Sequence, residues 1–157
     1  MTSETGKNGR PEWDAYWMGV VEAIARRSTC TRHNFGAVIV SDKTIVSTGY
    51  NGSPRGLPHC LKIGCLRDQL GIKSGTMLEV CRGVHAEANA IIRGDPIRMD
   101  GATLYVNAKP CKYCARMIAN SGVKRVVYID DYPEKEGIVL LKQAGIECTS
   151  FSPKRKK

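Results

Sequence analysis

Two short segments of the chain hold residue types that together can bind a metal ion. Residues 85–87, His-Ala-Glu, supply an imidazole and a carboxylate, and residues 110–114, Pro-Cys-Lys-Tyr-Cys, supply two thiols. One histidine and two cysteines are the ligands with which a catalytic zinc keeps its fourth tetrahedral position open for water. Cys111 and Cys114 are three residues apart, which places both thiols on one face of a helix. The sequence therefore predicts a catalytic zinc held by His85, Cys111 and Cys114.

Each of the two segments is predicted to begin a helix. Pro110 fits the first turn, where its missing N–H costs nothing, and the positive end of the helix dipole favours the thiolate form of both cysteines. In mid-helix His85 and Glu87 would face different directions. We therefore expect His85 at or near the N-cap and Glu87 in the first turn, beside the open position of the metal. A carboxylate placed there carries protons and does not bind the ion.

His-Ala-Glu followed by Pro-Cys-x-x-Cys resembles the signature of zinc-dependent nucleobase and nucleotide deaminases. The likeness covers roughly residues 13–147 and is similar in order and spacing to the deoxycytidylate (dCMP) deaminases in four segments, residues 36–40, 48–56, 85–91 and 101–106. The resemblance implies hydrolytic deamination of dCMP to dUMP and ammonia, which supplies dUMP for thymidylate synthesis. The alternatives are another cytosine substrate, namely dCTP, CMP or cytidine, a nucleic-acid-editing deaminase, or a zinc module without activity.

Five residues are predicted to bind the substrate, Asn51, Ala86, Lys109, Pro110 and Tyr132, and among these the role of Asn51 is implied by the resemblance. Asn51 matches an asparagine that hydrogen-bonds the nucleotide sugar or base, although an asparagine that only tolerates a turn is the alternative. Tyr132 could close over the base or could serve packing. A monophosphate needs cationic or N–H donors, and the candidates near the motifs are Arg55, Lys109 and Lys112, which could instead be solvated surface.

Regulation and assembly are likewise expected from the family. The dCMP deaminases resembled here are often homo-oligomers, frequently hexamers, which dCTP activates and dTTP inhibits. The residues that we assign to effector contacts are Tyr50, Asn51, Gly52, Arg55 and Asn89.

The cysteine content predicts a second metal. Seven cysteines in a chain with no secretory signal indicate metal binding or catalysis before disulfides. Cys60, Cys65 and Cys81 lie in the irregular stretch 57–84, and with Cys30 they could hold a structural zinc, which prefers a closed four-thiolate site. His33 or His59 could replace one cysteine, and free buried thiols are the alternative.

Composition is that of one globular domain. The chain has 157 residues, of which 42% are hydrophobic and 25% charged. It has no apolar run of membrane-spanning length and no signal peptide, which predicts a cytoplasmic protein without a membrane partner. The last four residues contribute +4 to the net charge of +9, and we interpret them as a solvated basic tail. The alternatives are a localisation signal and a nucleic-acid arm.

The patterns predict an α/β fold, a cytidine-deaminase-like three-layer sandwich whose five-stranded mixed sheet has helices on both faces. The domain is expected over residues 11–151, with a disordered N-terminus 1–10, the cysteine-bearing loop 57–84 and a basic tail 152–157. Pro11 is expected at the first position of the first helix. The predicted helices are 11–27, 85–93, 110–122 and 134–144, and the predicted strands are 36–40, 44–50, 102–107, 125–129 and 147–151.

Overall fold

The structure is a computed structural model that describes residues 6, 8–130 and 135–152. Within these residues it contains one five-stranded sheet, in the order β2-β1-β3-β4-β5. The hairpin β1–β2 and the pair β1–β3 are antiparallel, whereas β3–β4 and β4–β5 are parallel. This confirms the predicted mixed sheet. The strands are β1 (Gly36–Ser41), β2 (Thr44–Tyr50), β3 (Thr103–Val106), β4 (Arg125–Tyr128) and β5 (Glu147–Ser150).

Four helices of two or more turns pack on this sheet, and three single-turn helices connect the remaining described segments. In chain order the helices are α1 (Trp13–Ala25), α2 (Cys60–Ile63), α3 (Leu66–Gln69), α4 (Ala86–Arg93), α5 (Pro96–Met99), α6 (Lys112–Asn120) and α7 (Glu136–Gln143). A 3-10 turn, Leu78–Val80, also lies in the cysteine loop. The loop was predicted to be irregular, and its helices are indeed only one turn long.

The predicted placement of Pro11 at the first helical position and of Pro110 in the first helical turn is wrong. Glu12 is the N-cap of α1 and Cys111 is the N-cap of α6, so Pro11 and Pro110 each lie one residue before the cap. The reason is that the residue after each proline is still extended, with ψ of 154° and 167° respectively. The proline's missing N–H is as harmless before a cap as inside the first turn.

The alternation of side chains in β1 shows how the three layers form. Val38 and Val40 face α1 and belong to a core cluster with Trp17, whereas Ala37 and Ile39 belong to the cluster on the opposite face of the sheet. That second cluster includes buried residues of α4, α6 and α7. Helices thus cover both faces, as predicted, and α4 and α6 share the face on which their N-termini can meet.

An ion pair between the buried Asp14 and the half-buried Arg125 ties α1 to the sheet. The Asp14 carboxylate accepts hydrogen bonds from Arg125 Nη1 at 2.8 Å, from Arg125 Nη2 at 2.7 Å and from Tyr105 Oη at 2.9 Å. The hydrogen bonds from Arg125 hold the pKa of Asp14 below its usual value, while burial raises the pKa of Tyr105. Three distant segments of the chain therefore meet at one carboxylate.

Replacing Asp14 by asparagine should lower the free energy of unfolding by about 3 kcal/mol near pH 7, because Arg125 loses its buried charge partner and keeps only the exposed Glu147. Since the pKa of Asp14 is depressed on folding, its contribution is complete above about pH 4 and disappears as the pH falls through the lower, folded-state pKa. The difference between the two proteins should therefore shrink below about pH 4. Urea unfolding of both proteins across pH measures it.

Glu147 offers the matched control, because its Oε1 lies 3.0 Å from Nε of the same Arg125 but its side chain is mostly exposed. Glu147→Gln should cost less than about 1 kcal/mol. Equal losses in the two variants would contradict a special role of the pair of Asp14 with Arg125.

Candidate active site

Two helix N-termini bring the predicted metal ligands together. His85 is the N-cap of α4, and Cys111 is the N-cap of α6, with Cys114 in the first turn of that helix. The predicted position of His85 is confirmed, and Glu87 lies in the first turn of α4. The N-cap residue of each helix is extended, so the backbone turns sharply there. The side chains of the two N-cap residues, His85 and Cys111, therefore face each other.

The spacing of the three side chains fits a zinc ion. His85 Nδ1 lies 3.5 Å from Cys111 Sγ and 3.4 Å from Cys114 Sγ. Tetrahedral zinc with ordinary bond lengths to nitrogen and sulfur would separate these atoms by about 3.6 Å. Among the described residues this is the only set of three or more histidine, cysteine or acidic side chains with all ligand atoms within 4.8 Å.

The thiols of this cluster share their protons unequally. Hydrogen bonds from Cys114 and His85 lower the pKa of Cys111 to about 4. The hydrogen bond to Cys111 in turn raises the pKa of His85 and that of Cys114. Cys111 is therefore the thiol that ionises first. A cation that binds here must displace protons from His85 and Cys114.

Glu87 lies in this region without being one of the three grouped ligands. Its residue is only 5% exposed, and burial raises the pKa of its carboxyl. A carboxyl group whose pKa is raised by burial holds a proton more readily and can accept and return one during a reaction cycle. This environment agrees with the predicted role of Glu87 as a proton carrier.

A cavity opens over the cluster and receives two of the predicted substrate residues, Asn51 and Lys109. The other residues lining it are Cys30, Arg32, His33, Phe35, Gly52, Cys60, Cys65, Arg67, Leu78, Cys81, Gly83, Val84, His85, Glu87, Ala108 and Cys111. No sequence pattern indicated Arg32, Phe35 or Arg67, because none of them belongs to a motif and the loop that carries Arg67 has no periodicity.

The side chain of Asn51 forms its hydrogen bonds with other residues of the chain. Its Oδ1 accepts hydrogen bonds from Ser28 Oγ at 2.6 Å and from the Phe35 amide at 2.9 Å, and its Nδ2 donates to the His33 carbonyl at 2.9 Å. The side chain therefore fixes residues 28–35 at the rim of the cavity. The second N–H of this amide forms no hydrogen bond with the described residues.

The remaining predicted substrate residues differ in their surroundings. Lys109 is buried and forms an ion pair with Asp130. Ala86 and Pro110 are buried beside the ligands, and Tyr132 lies outside the described residues. Lys112 is half exposed and lies 3.6 Å from Glu136, away from the cavity lining.

A second groove contains four of the five residues assigned to effector contacts, Tyr50, Gly52, Arg55 and Asn89. Asn89 Nδ2 donates to the Tyr50 carbonyl at 2.8 Å, which joins α4 to the end of β2. Asn51 is absent from this lining because its side chain lines the first cavity, over the metal ligands. Arg55 thus lies with the groove and not with the metal ligands.

The four other cysteines of the predicted second zinc site, Cys30, Cys60, Cys65 and Cys81, all line the catalytic cavity. Cys30 Sγ accepts a hydrogen bond from the Arg32 amide and Cys81 Sγ one from the Gly83 amide, both at 3.4 Å. No three of the four sulfurs lie within 4.8 Å of one another, so the second zinc stays a prediction.

Known proteins share both the site and the fold. The family described as the cytidine and deoxycytidylate deaminase zinc-binding region matches residues 11–130. The chain belongs to this family. Deoxycytidylate deaminase of Mycobacterium phage D29 is 44% identical over 124 residues, which are 76% of this chain and 95% of the phage protein. The Saccharomyces cerevisiae deoxycytidylate deaminase is 39% identical over 145 residues, although the chain spans only 46% of its length.

The fold of this chain matches that of a solved structure. The dCMP deaminase of cyanophage S-TIM5, crystallised with dCMP and dUMP, superimposes with a TM-score of 0.71 at 31% identity. The match covers 90% of this chain and 98% of the phage chain. The cytidine-deaminase-like sandwich is therefore confirmed. Within the described residues, no helix is both long enough and apolar enough to cross a membrane.

Proposed function

We propose that this chain catalyses the hydrolytic deamination of dCMP to dUMP and ammonia. The observation that carries this proposal is the buried Glu87 beside a zinc-binding set of His85, Cys111 and Cys114, with Glu87, His85 and Cys111 lining one cavity. The relatives named as deoxycytidylate deaminases, at up to 44% identity, support dCMP as the substrate. The cavity also carries a net positive lining in Arg32, Arg67 and Lys109, which suits a nucleotide anion.

Zinc, when bound, supplies Lewis-acid activation of a water molecule that attacks C4 of the cytosine ring. The residues of the chain transfer the protons and bind the substrate. Glu87 takes one proton from this water and delivers it to N3 of the ring. It then takes the remaining proton from the hydroxyl on C4 and passes it to the amino group, which leaves as ammonia while the C4 carbonyl forms. Lys109 and the free amide N–H of Asn51 line the cavity as further donors for the sugar and base.

Ammonia release from dCMP, dCTP, CMP and cytidine, measured in parallel, tests the proposed substrate. We expect kcat/KM for dCMP to exceed that for cytidine by at least about 100-fold, because a cavity with cationic donors gains little from an uncharged nucleoside. A preference for dCTP or for cytidine would keep the deamination chemistry but would refute the substrate. No ammonia from any of the four would refute the proposed function itself.

We also propose the structural zinc at Cys30, Cys60, Cys65 and Cys81. The support is that all four line one cavity and that two of the sulfurs accept backbone N–H bonds. Elemental analysis of the purified protein should then find two zinc ions per chain. Cys60→Ala should reduce this to one and lower the thermal midpoint of unfolding, whereas one zinc in the unmodified protein would refute the site.

Regulation by dCTP and dTTP is proposed for the groove of Tyr50, Gly52, Arg55 and Asn89. The support is that these four residues line one groove. The groove also contains a second arginine, Arg93, which could donate hydrogen bonds to a phosphate. If the groove binds effectors, Arg55→Ala should abolish the response of dCMP deamination to both triphosphates. A response of unchanged size would place the effector site elsewhere.

A homo-oligomer, with a hexamer as the expected form, is proposed on the exposed apolar side chains of α4 and α6, namely Ile92, Tyr113 and Met117. Light scattering of the purified protein measures the assembly, and a monomer would refute this proposal.

A cytoplasmic location is supported by the seven cysteines, none of which is in a disulfide.

A further inference from the structure

Residues 33–36 form one wall of the cavity over the metal ligands, and we call them the wall segment. His33 and Phe35 line the cavity, and their rings are stacked, with centroids 5.3 Å apart and 12° between the ring planes. Gly36 is the first residue of β1, whereas residues 33–35 lie in neither a helix nor a strand. Hydrogen bonds from other segments must therefore fix their main chain.

Two asparagine side chains hold the main chain of the wall segment in alternation. The amide group of Asn51 binds the carbonyl of the first residue and the N–H of the third. Asn107 does the same for the second and the fourth residue. Its Oδ1 accepts a hydrogen bond from the Gly36 amide at 2.8 Å, and its Nδ2 donates to the Asn34 carbonyl at 3.1 Å. This pattern uses both the donor and the acceptor of the side-chain amide.

Asn107 also lies close in the chain to a metal ligand. It directly follows β3 and comes four residues before Cys111, the N-cap of α6. Ala108 and Lys109, which lie between them, line the same cavity as the wall segment. The main-chain N–H of Asn107 donates to the Gly36 carbonyl at 3.4 Å, next to the last residue pair of β1 and β3. One residue thus joins the wall segment to the segment that supplies a metal ligand.

The two ends of the wall segment differ in how they are held. A Cβ atom on Gly36 would lie 2.5 Å from the Val21 carbonyl oxygen and 2.8 Å from the Ala25 nitrogen, so the main chain there lies directly against α1. At the other end His33 and Asn34 are exposed. This end has no such packing, and the asparagine hydrogen bonds therefore fix its position.

We propose that Asn107 is a positioning residue, which holds the stacked rings of His33 and Phe35 at a fixed place relative to the metal ligands and thereby lowers the KM for the substrate. A wall that is fixed before the substrate arrives does not have to be ordered when the substrate binds. This inference rests on the proposed deamination of dCMP. It assigns a part in that reaction to a residue that does not itself line the cavity.

Asn107→Ala should raise the KM for dCMP about tenfold and change kcat by less than about threefold, because the substrate must then order the wall segment. Partial loss of folded protein would give a different result. It would lower the measured kcat and leave KM unchanged, since the molecules that remain folded bind dCMP as before. Ammonia release as a function of dCMP concentration measures both constants.

A double-mutant cycle with His33→Ala tests whether Asn107 acts through the wall segment. His33 is exposed, so the loss of its ring leaves the core intact. We expect each single substitution to raise KM about tenfold and the double variant to raise it by less than about 30-fold, whereas independent effects would multiply to about 100-fold. Independent effects, or a His33→Ala protein with an unchanged KM, would overturn the proposal.

Asp95→Ala is the matched control. The Asp95 side chain likewise forms two hydrogen bonds with the main chain, from the amides of Ile97 at 2.9 Å and Arg98 at 3.1 Å, but it lies at the start of α5 and outside the cavity. Its loss should lower the thermal midpoint of unfolding and change KM by less than about twofold. An equal rise of KM in Asp95→Ala and Asn107→Ala would reduce the effect to general stability and overturn the proposal.

Asn107→Asp tests the same contact with almost no change in side-chain volume. The carboxylate can still accept the hydrogen bond from the Gly36 amide, but it places an oxygen against the Asn34 carbonyl, to which the amide donated. KM should rise as in Asn107→Ala, and an unchanged KM in both variants would overturn the proposal. No ammonia release from dCMP by the unmodified protein would instead refute the proposed function, so the two failures can be told apart.

Discussion

Replacement of Glu87 by glutamine should reduce the deamination of dCMP by about 10⁴-fold. Glutamine has nearly the same shape, but it can neither accept the proton of the attacking water nor return it to the ring. Because Glu87 is not one of the three grouped ligands, the zinc content should stay as in the unmodified protein. Ammonia release and elemental analysis of the same preparation measure both quantities.

Glu136→Gln is the matched control for this variant. Glu136 begins α7, has an exposed side chain and lies 3.6 Å from Lys112, so it is close to α6 but outside the cavity. Its replacement should change activity by less than about twofold. If Glu87→Gln kept more than a tenth of the activity, another group would have to carry the proton.

The unmodified protein and Glu87→Gln should also differ in substrate binding less than in turnover. A residue that acts only in the transition state lowers kcat and kcat/KM together. We therefore expect KM for dCMP to change by less than about threefold. A large rise in KM with little change in kcat would assign Glu87 to ground-state binding.

The ligand set could be predicted from sequence because its geometry is local. The two-residue spacing of His85 and Glu87 is compatible with one site only at a helix N-terminus, and the structure has His85 at the N-cap of α4. The thiols of Cys111 and Cys114 lie within one turn of α6. The strands could be predicted for the same reason, since short apolar runs between turn residues specify them without reference to distant contacts.

Arg67 could not be predicted because its environment depends on contacts across a loop without periodicity. Its burial requires that residues 73–76 fold back over α3, and no local pattern of residues 57–84 specifies that path. The side-chain partners of Asn51 are equally invisible in the sequence, since Ser28 lies 23 residues away. Residue types thus identified the chemistry, while the choice between substrate contact and framework contact needed the tertiary structure.

Replacement of Cys111 by serine should remove the catalytic zinc and abolish deamination. Cys111 is the thiol whose pKa is lowered to about 4, so it is the ligand that is already ionised when the metal arrives. A serine hydroxyl stays protonated and is a poor ligand for zinc, which leaves only His85 and Cys114. Elemental analysis should show one zinc fewer per chain, and ammonia release from dCMP should fall by more than about 10⁴-fold.

Cys148→Ser is the matched control, because Cys148 is half-buried in β5 and its Sγ lies 3.5 Å from the Ile146 carbonyl, outside the cavity. Burial raises the pKa of this thiol, so it stays protonated, and a hydroxyl can replace its hydrogen bond. Zinc content and activity should both stay as in the unmodified protein. A Cys111→Ser protein with full zinc and full activity would refute the ligand assignment, because α6 would then not supply the thiolate on which the site depends.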